Sequence, residues 1–378
     1  MDASALLWEG WRTQVKQLLP GIHGHQKKTL ALFVIGMILS GSAVLQRVAE
    51  SISLDGINPA KMTSIERRLA RFLANDRVVV TKIWELFLSQ ALPFWHGKPL
   101  RFVLDCTPFR AEATIVYLGL LVHSRVLPVA WAVMPGQEKW QEEQWSIVAR
   151  LLDQIIAHLP EADATLIADR GLAGFPLLKM CRDRRWHYLL RICKEHTCRR
   201  KMGKGWRSWC RFDAFVSKTG QQWYGWAQVW QENSIQTYVS VCWAQDCQES
   251  WILLSDQKAG KRRVQEYAWR MRVESTFQES KSRGWNLEAS LIKDQARLDR
   301  LLLVLFLAMW WVSHLAASCI HHGKRDRFDR TDRRDKGIFR LGRLWLLDIL
   351  RRTRNQADLV HCLPFRKLAA GWRFSLRF

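Results

Sequence analysis

RFVLDCTPFRAEATIVYLGLLVHSRVLPVAWAVMP, residues 101–135, is the stretch whose reading decides the fold. It holds most of three apolar runs, Leu100–Leu104, Thr114–Leu121 and Val126–Met134, rich in the β-branched and aromatic residues that suit strands. The last two are joined by His123-Ser124-Arg125, which suits a hairpin turn, so the sheet begins with antiparallel neighbours. Downstream the period changes. Trp145, Val148, Leu151, Leu152, Ile155 and Ile156 recur at helical spacing and predict a helix over Glu142–Leu159. Ala164–Ala168 reads as a buried strand, Leu172–Arg185 as a helix and His187–Ile192 as a further strand. This order is an α/β pattern with a mixed sheet.

The flanks read differently. Residues 1–95 are helical: Leu30–Leu39 is one apolar helix, Ser40-Gly41-Ser42 breaks it, and Ala43–Ile52 resumes. Ser64–Leu73 follows a Thr/Ser cap and buries Ile65, Leu69, Phe72 and Leu73. Its Arg67, Arg68 and Arg71 lie on the other faces, either as a basic DNA-recognition surface or as solvated charge. Pro93–Pro99 makes a hinge. The core then occupies 96–193, a β-rich insertion with short alternating runs fills 194–258, and the core resumes over 259–320. The region 321–378 is basic, and its loop Gly323–Arg340 is expected to be mobile or ordered only on a partner.

Composition narrows the partners. There are 58 Lys+Arg against 35 Asp+Glu, a net charge of +23 that favours a polyanion, nucleic acid or an acidic membrane surface. The charge is spread over a body that is 48% hydrophobic, so it belongs to a folded surface. The 21 Trp are core or rim packing for the most part, though aromatics beside Arg also suit stacking on bases. Nine irregularly spaced cysteines point to a reducing compartment, the cytoplasm. Cys193, His196 and Cys198 lack the second ligand pair that a zinc site needs. Leu301–Ile320 is long enough to span a bilayer, but basic residues on both sides favour a buried core helix and no membrane partner.

Asp105 ends the strand Arg101–Leu104 and Asp169 ends Thr165–Ala168. Groups at carboxyl strand ends converge on the functional crevice of such sheets. Further on, Glu266–Lys281 (EYAWRMRVESTFQESK) reads as one helix, with Tyr267, Arg270, Glu274 and Lys281 on a single stripe. Asp105, Asp169 and Glu274 together can hold two divalent ions, Mg²⁺ with Mn²⁺ as its substitute, of the kind that drive in-line displacement at phosphorus.

These residues carry a resemblance. The chain resembles the cut-and-paste DDE transposases of bacterial insertion sequences, marked by a Y-x2-R-x3-E-x6-K signature that Tyr267, Arg270, Glu274 and Lys281 match at every spacing. Asp105 matches the first family aspartate. Asp169, in Ala168-Asp169-Arg170-Gly171, matches the second, although Leu172 stands where an aromatic often follows the glycine. The resemblance implies a ribonuclease-H-like core interrupted by the insertion, with metal on the three carboxylates. It implies that Tyr267, Arg270 and Lys281 hold phosphates of the transposon end, and that Trp251 stacks on a flipped base. Binding of terminal inverted repeats and target DNA as a homodimer, excision through DNA hairpins and strand transfer are the further expectations. A structure-specific nuclease on the same fold and a non-catalytic DNA-binding relative are the alternatives.

Overall fold

In the computed structural model, which describes residues 3–95, 97–122, 125–136, 143–159, 161, 163–352 and 362, the chain opens with helices α1 (Ala3–Leu18), α2 (Gly24–Ser40), α3 (Leu45–Leu54), α4 (Met62–Leu73) and α5 (Val80–Ala91). Every residue from Leu30 to Leu39 is buried, so α2 is enclosed by protein on all sides, as its uninterrupted apolar run requires. Gly41 ends it in the left-handed region, at φ 64°, and its N–H donates to Met37 O at 2.9 Å. α4 buries Ile65, Leu69, Phe72 and Leu73 at the expected period. Its start differs from expectation: Lys61 occupies the cap position and no side chain caps the helix, because the chain turns in two residues before Ser64. The Pro93–Pro99 hinge begins as a 3₁₀ turn, Leu92–Trp95, anchored by buried Leu92 and Trp95.

The meander read from residues 101–135 is present as β1 (Leu100–Phe109), β2 (Ala113–Val122) and β3 (Arg125–Pro135), antiparallel throughout. His123 and Ser124 of the expected turn lie outside the described residues. Helices α6 (Gln144–Ile156) and α7 (Phe175–Asp183) alternate with β4 (Ala164–Ala168) and β5 (His187–Ile192). β4 adds in parallel to the other side of β1, and β5 in parallel to β4. Every β4 residue is buried, which requires cover on both faces. Between Leu118 and Gly119 the register skips Val129 of β3, a bulge beside Pro128, a residue with no N–H to give to the ladder. The Pro128 and Val129 carbonyls instead accept the indole N–H groups of Trp310 and Trp84, both at 2.7 Å.

The β-rich insertion extends this sheet instead of standing apart. It comprises β6 (Thr197–Met202), β7 (Gly205–Trp206), β8 (Cys210–Arg211), β9 (Gln222–Val229), β10 (Ile235–Cys242) and β11 (Trp251–Ser255). β11 pairs with β5, giving the strand order β3-β2-β1-β4-β5-β11-β10-β9-β6-β7 among the described residues, with β8 beside β6.

After the insertion come α8 (Lys261–Ala268), α9 (Arg272–Gln278), α10 (Gln295–His321) and α11 (Ile338–Arg352). α10 packs on β3, α2, α4, α5 and α11, and its most apolar window is 89% buried inside the protein. It is a core helix, enclosed by the elements it packs against. α11 approaches it so closely that a Cβ on Gly342 would stand 1.8 Å from Val312 O. Two guanidinium groups tie the helices together at their carbonyl ends. Arg300 donates to Leu73 O at 2.9 Å and Arg343 to Leu39 O at 2.7 Å, where helix dipoles favour a cation.

The loop between α10 and α11 corrects the expectation of mobility. Asp329 is buried and accepts from Arg325 and from the N–H groups of Asp335 and Lys336, so the loop is ordered around its own carboxylate. Burial pushes the Asp329 carboxyl up, but these donors outweigh it and hold it below its usual range.

Candidate active site

Register brings the two aspartates together. The parallel pairing of β1 and β4 runs to Leu104↔Ala168, so Asp105 and Asp169 are the next residues of adjacent strands. Asp105 does not end its strand, contrary to expectation. β1 continues to Phe109 through its pairing with β2, and only the parallel contact stops. Beyond Asp169 the chain turns sharply: its Oδ1 accepts the Gly171 N–H at 2.9 Å, and its carbonyl accepts the Ala173 N–H at 2.8 Å. Leu172, in the position often held by an aromatic, is buried beneath this turn.

The expected single helix over Glu266–Lys281 is broken. α8 passes into a 3₁₀ turn at Trp269–Met271, then α9, then a π-helical turn at Glu279–Arg283. A 3₁₀ turn advances about 20° more per residue than an α-helix, so the four signature residues do not lie on one straight stripe. α9 is docked on β3: Thr276 Oγ1 accepts the Val126 N–H at 3.0 Å, and Glu279 forms a two-pronged ion pair with Arg125 at 2.8 and 2.7 Å. This anchoring sets the position of Glu274.

Arg270, in the 3₁₀ turn, joins the three carboxylates. Its Nη2 donates to Asp105 Oδ2 at 3.0 Å and Asp169 Oδ2 at 3.1 Å, and its Nη1 to Glu274 Oε1 at 3.3 Å. The side chains grade outward from the core, Asp105 at 11% exposure, Asp169 at 30% and Glu274 at 49%. Burial raises the Asp105 carboxyl to about 6, against the lowering effect of Arg270 and the Cys106 N–H. For Arg270, burial alone would lower the pKa, but Asp105, Tyr267, Asp169 and Glu274 outweigh it and raise it.

Among the described residues no three His, Cys, Asp or Glu side chains are grouped closely enough to hold a metal ion. The carboxylates are spaced to a guanidinium. Their oxygens are nonetheless the hard donors that Mg²⁺ and Mn²⁺ take, so the donor chemistry fits a divalent ion while the present spacing is that of Arg270. Among the described residues Cys193, His196 and Cys198 are not grouped as metal ligands, and none of the cysteines is in a disulfide.

The remaining signature residues separate. Tyr267 is buried, its ring edge-on to Trp251 with centroids 5.1 Å apart, and burial pushes its hydroxyl up to about 12. Trp251, at the start of β11, thereby rests against the segment that carries Arg270 and Glu274. Lys281 is half-buried in the π-helical turn, makes no ion pair with the three carboxylates, and is lowered by burial against the pull of Glu288. Arg67, Arg68 and Arg71 are exposed on α4, which packs on α2, α3 and α10, and Arg68 and Arg71 line an open groove with Gln26, Arg77 and Lys82.

Sequence reasoning missed a second layer. Glu249 joins Arg191 to Arg170, the latter at 2.8 Å, directly behind Asp169, and Arg191 is also a hydrogen-bonding neighbour of Tyr267. Glu266 is buried between Arg101 and Arg263. The available signal was an arginine set within an apolar run, Arg101 beside Phe102-Val103-Leu104 in β1 and Arg191 after Leu189-Leu190 in β5.

Register also carries the level of Asp169 across the sheet. Asp169 follows Ala168↔Leu190, so it stands level with Arg191, and Arg191 pairs with Leu253, Leu253 with Ser240, and Ser240 with Tyr224. Arg200 pairs with Ala227, which sets Gly203 level with Tyr224 and hence with the site. That is the tip of the β6–β7 hairpin, where Lys201, Lys204 and Arg207 are exposed. Five strand spacings separate β4 from β6, about 24 Å at the usual interstrand distance.

Residues 146–311 match the family model described as the transposase DDE domain. This match supports a DDE transposase. It covers Asp169, Tyr267, Arg270 and Glu274, and begins after Asp105, which register has already set beside Asp169. No curated protein matches the chain.

Proposed function

We propose that this protein is a cut-and-paste DNA transposase that binds the terminal inverted repeats of its element as a homodimer, cuts both strands and joins the freed ends to target DNA. The observation that carries the reading is the meeting of Asp105, Asp169 and Glu274, from two parallel strands and a helix, on one guanidinium. A ribonuclease-H-like core is supported by the order β3-β2-β1-β4-β5, with β4 and β5 parallel to β1 and the meander antiparallel.

When bound by these carboxylates, divalent ions, Mg²⁺ or Mn²⁺, would activate the attacking oxygen and stabilise the leaving one. The chain's residues supply the rest. Asp105, the most buried of the three, fixes the inner wall, while the more exposed Glu274 stands on the side open to substrate. Arg270 and Lys281 are the cations that would hold phosphates of the transposon end, and buried Tyr267 shapes the wall behind them. Trp251, partly exposed against Tyr267, is the ring suited to stack on a base flipped out as a hairpin forms. A duplex leaving the site along the carboxyl edge of the sheet would reach Lys201 and Lys204 after about seven base pairs, at roughly 3.4 Å each. Arg67, Arg68 and Arg71 offer a separate basic surface for DNA further inside the element.

The test uses the short inverted repeats expected to bracket the gene. Incubation of the protein with a duplex carrying such an end and Mg²⁺ should give nicks at the element boundary, followed by a hairpin that migrates anomalously on a denaturing gel. Uncleaved ends under conditions where the protein binds them would refute the reading.

A further inference from the structure

The three carboxylates and Arg270 hold one another in a way that excludes another cation. A single guanidinium contacts all of them, from three chain segments, at 3.0, 3.1 and 3.3 Å. A divalent ion bridging the same oxygens would occupy the same space and repel the guanidinium. The two states are therefore mutually exclusive.

Arg270 is also poised to leave. Its Nε is buried and has no hydrogen-bond partner, although the side chain is only 9% exposed. A buried donor without an acceptor is costly, and a phosphate oxygen would satisfy it. The residue belongs to the 3₁₀ turn between α8 and α9, the irregular point of this helical segment, where a small rewinding redirects the side chain. Two other enclosed arginines contrast with it. Buried Arg300 and half-buried Arg343 donate to carbonyls at helix ends, Arg300 also to Asp76.

We propose that Arg270 is a positioning residue that orders the binding of metal and DNA. It acts as the internal counter-cation of the carboxylate site, and it transfers to a DNA phosphate before divalent ions can be held. This rests on the carboxylate-site reading above. Because DNA phosphate and divalent ion both favour the state with Arg270 withdrawn, each tightens the other's binding. If the withdrawn state is populated at about one part in a hundred without DNA, apparent metal affinity falls by about a hundredfold.

The experiment measures Mn²⁺ binding to the metal-stripped full-length protein near pH 8, by paramagnetic resonance of free Mn²⁺. Measurements are made with and without a duplex of about 20 base pairs. Without DNA, Arg270→Gln should bind Mn²⁺ at least about tenfold more tightly than wild type, with Arg270→Lys between them. The duplex should tighten Mn²⁺ binding by wild type about tenfold and that of Arg270→Gln far less. Equal Mn²⁺ affinity in wild type and a folded Arg270→Gln, or equal tightening of both by DNA, overturns the inference. Should circular dichroism show Arg270→Gln unfolded, wild type decides: Mn²⁺ affinity indifferent to the duplex overturns it. Asp169→Asn separates the two levels of argument. Mn²⁺ binding unchanged in Asp169→Asn removes the carboxylate site itself. Binding lost there, with no gain in Arg270→Gln, removes only the role of Arg270.

Discussion

The strands β1–β5 and the outer strands β6 and β9 share one sheet but are built by different rules; β11, which joins the two parts, is buried at four of its five residues. In β2 nine of ten residues are buried, and in β4 all five. In β9 only Ala227 and Val229 of eight are buried, and the last residues of β6 are exposed. The first half is sealed between helices and holds its charges by pairing them, as with Asp105 and Arg270 or Glu266 and Arg101. The outer strands leave Lys201 open to solvent, with Lys204 and Arg207 exposed beside it at the hairpin tip. A rigid, desolvated region fixes geometry for chemistry, whereas an amphipathic edge presents charge to a large partner. The transposase reading needs both, at one level of the same sheet.

The contrast breaks most readily at the core. Leu166→Ala in the fully buried β4 should cost about 2–5 kcal/mol in chemical denaturation. Trp226→Ala in β9, whose ring mainly meets Tyr238 at 4.6 Å, should cost about 0.5–1.5 kcal/mol. Similar losses at the two positions would mean the insertion is as much a folding core as the first half. Next in size is Lys201→Ala combined with Lys204→Ala. Melting temperature should hold, while DNA affinity falls and the dependence of its logarithm on log salt becomes shallower by about 2. An unchanged salt slope would remove the hairpin tip from the DNA path.

How much of this was legible depended on range. The strands of the meander and of β4 and β5 were written in their apolar runs, and Asp105 and Asp169 stood out as the first carboxylates after two of them. Arg270 and Glu274 were found by spacing. The contact of Arg270 with the aspartates was not, because from Arg270 to Asp105 it spans 165 residues and rests on strand register. The 3₁₀ and π turns escaped notice since EYAWRMRVESTFQESK has helical residues throughout, and docking on β3 imposes the breaks. Asp329 looked like one more charge in a solvated loop, and only the fold shows that it is buried and surrounded by donors. The insertion strands were readable, but their continuation of the core sheet depends on β11 pairing with β5.

The smallest expected effect is a pH dependence that joins stability to binding. Asp105 has a folded-state pKa of about 6, raised from 3.8 by burial. The native state thus takes up this proton more readily than the unfolded chain. The resulting stability is fully present below about pH 4 and is lost as pH rises through about 6. Divalent ions need the ionised form, so Mn²⁺ binding should weaken as pH falls through the same range. Asp105→Asn should remove this component from the stability profile. A profile through pH 6 that is identical in wild type and Asp105→Asn would contradict the assigned burial effect.

The central claim is that Asp105, Asp169 and Glu274 form one metal-dependent cutting site while the basic surfaces bind DNA. Its most direct test is cleavage of an inverted-repeat duplex in Mg²⁺ by wild type and by Asp169→Asn, at protein concentrations that give equal band shifts. The account predicts that Asp169→Asn binds the duplex as wild type does and cuts it slower by roughly a thousandfold or more. Cleavage by Asp169→Asn at the wild-type rate, with the DNA equally bound, would contradict it.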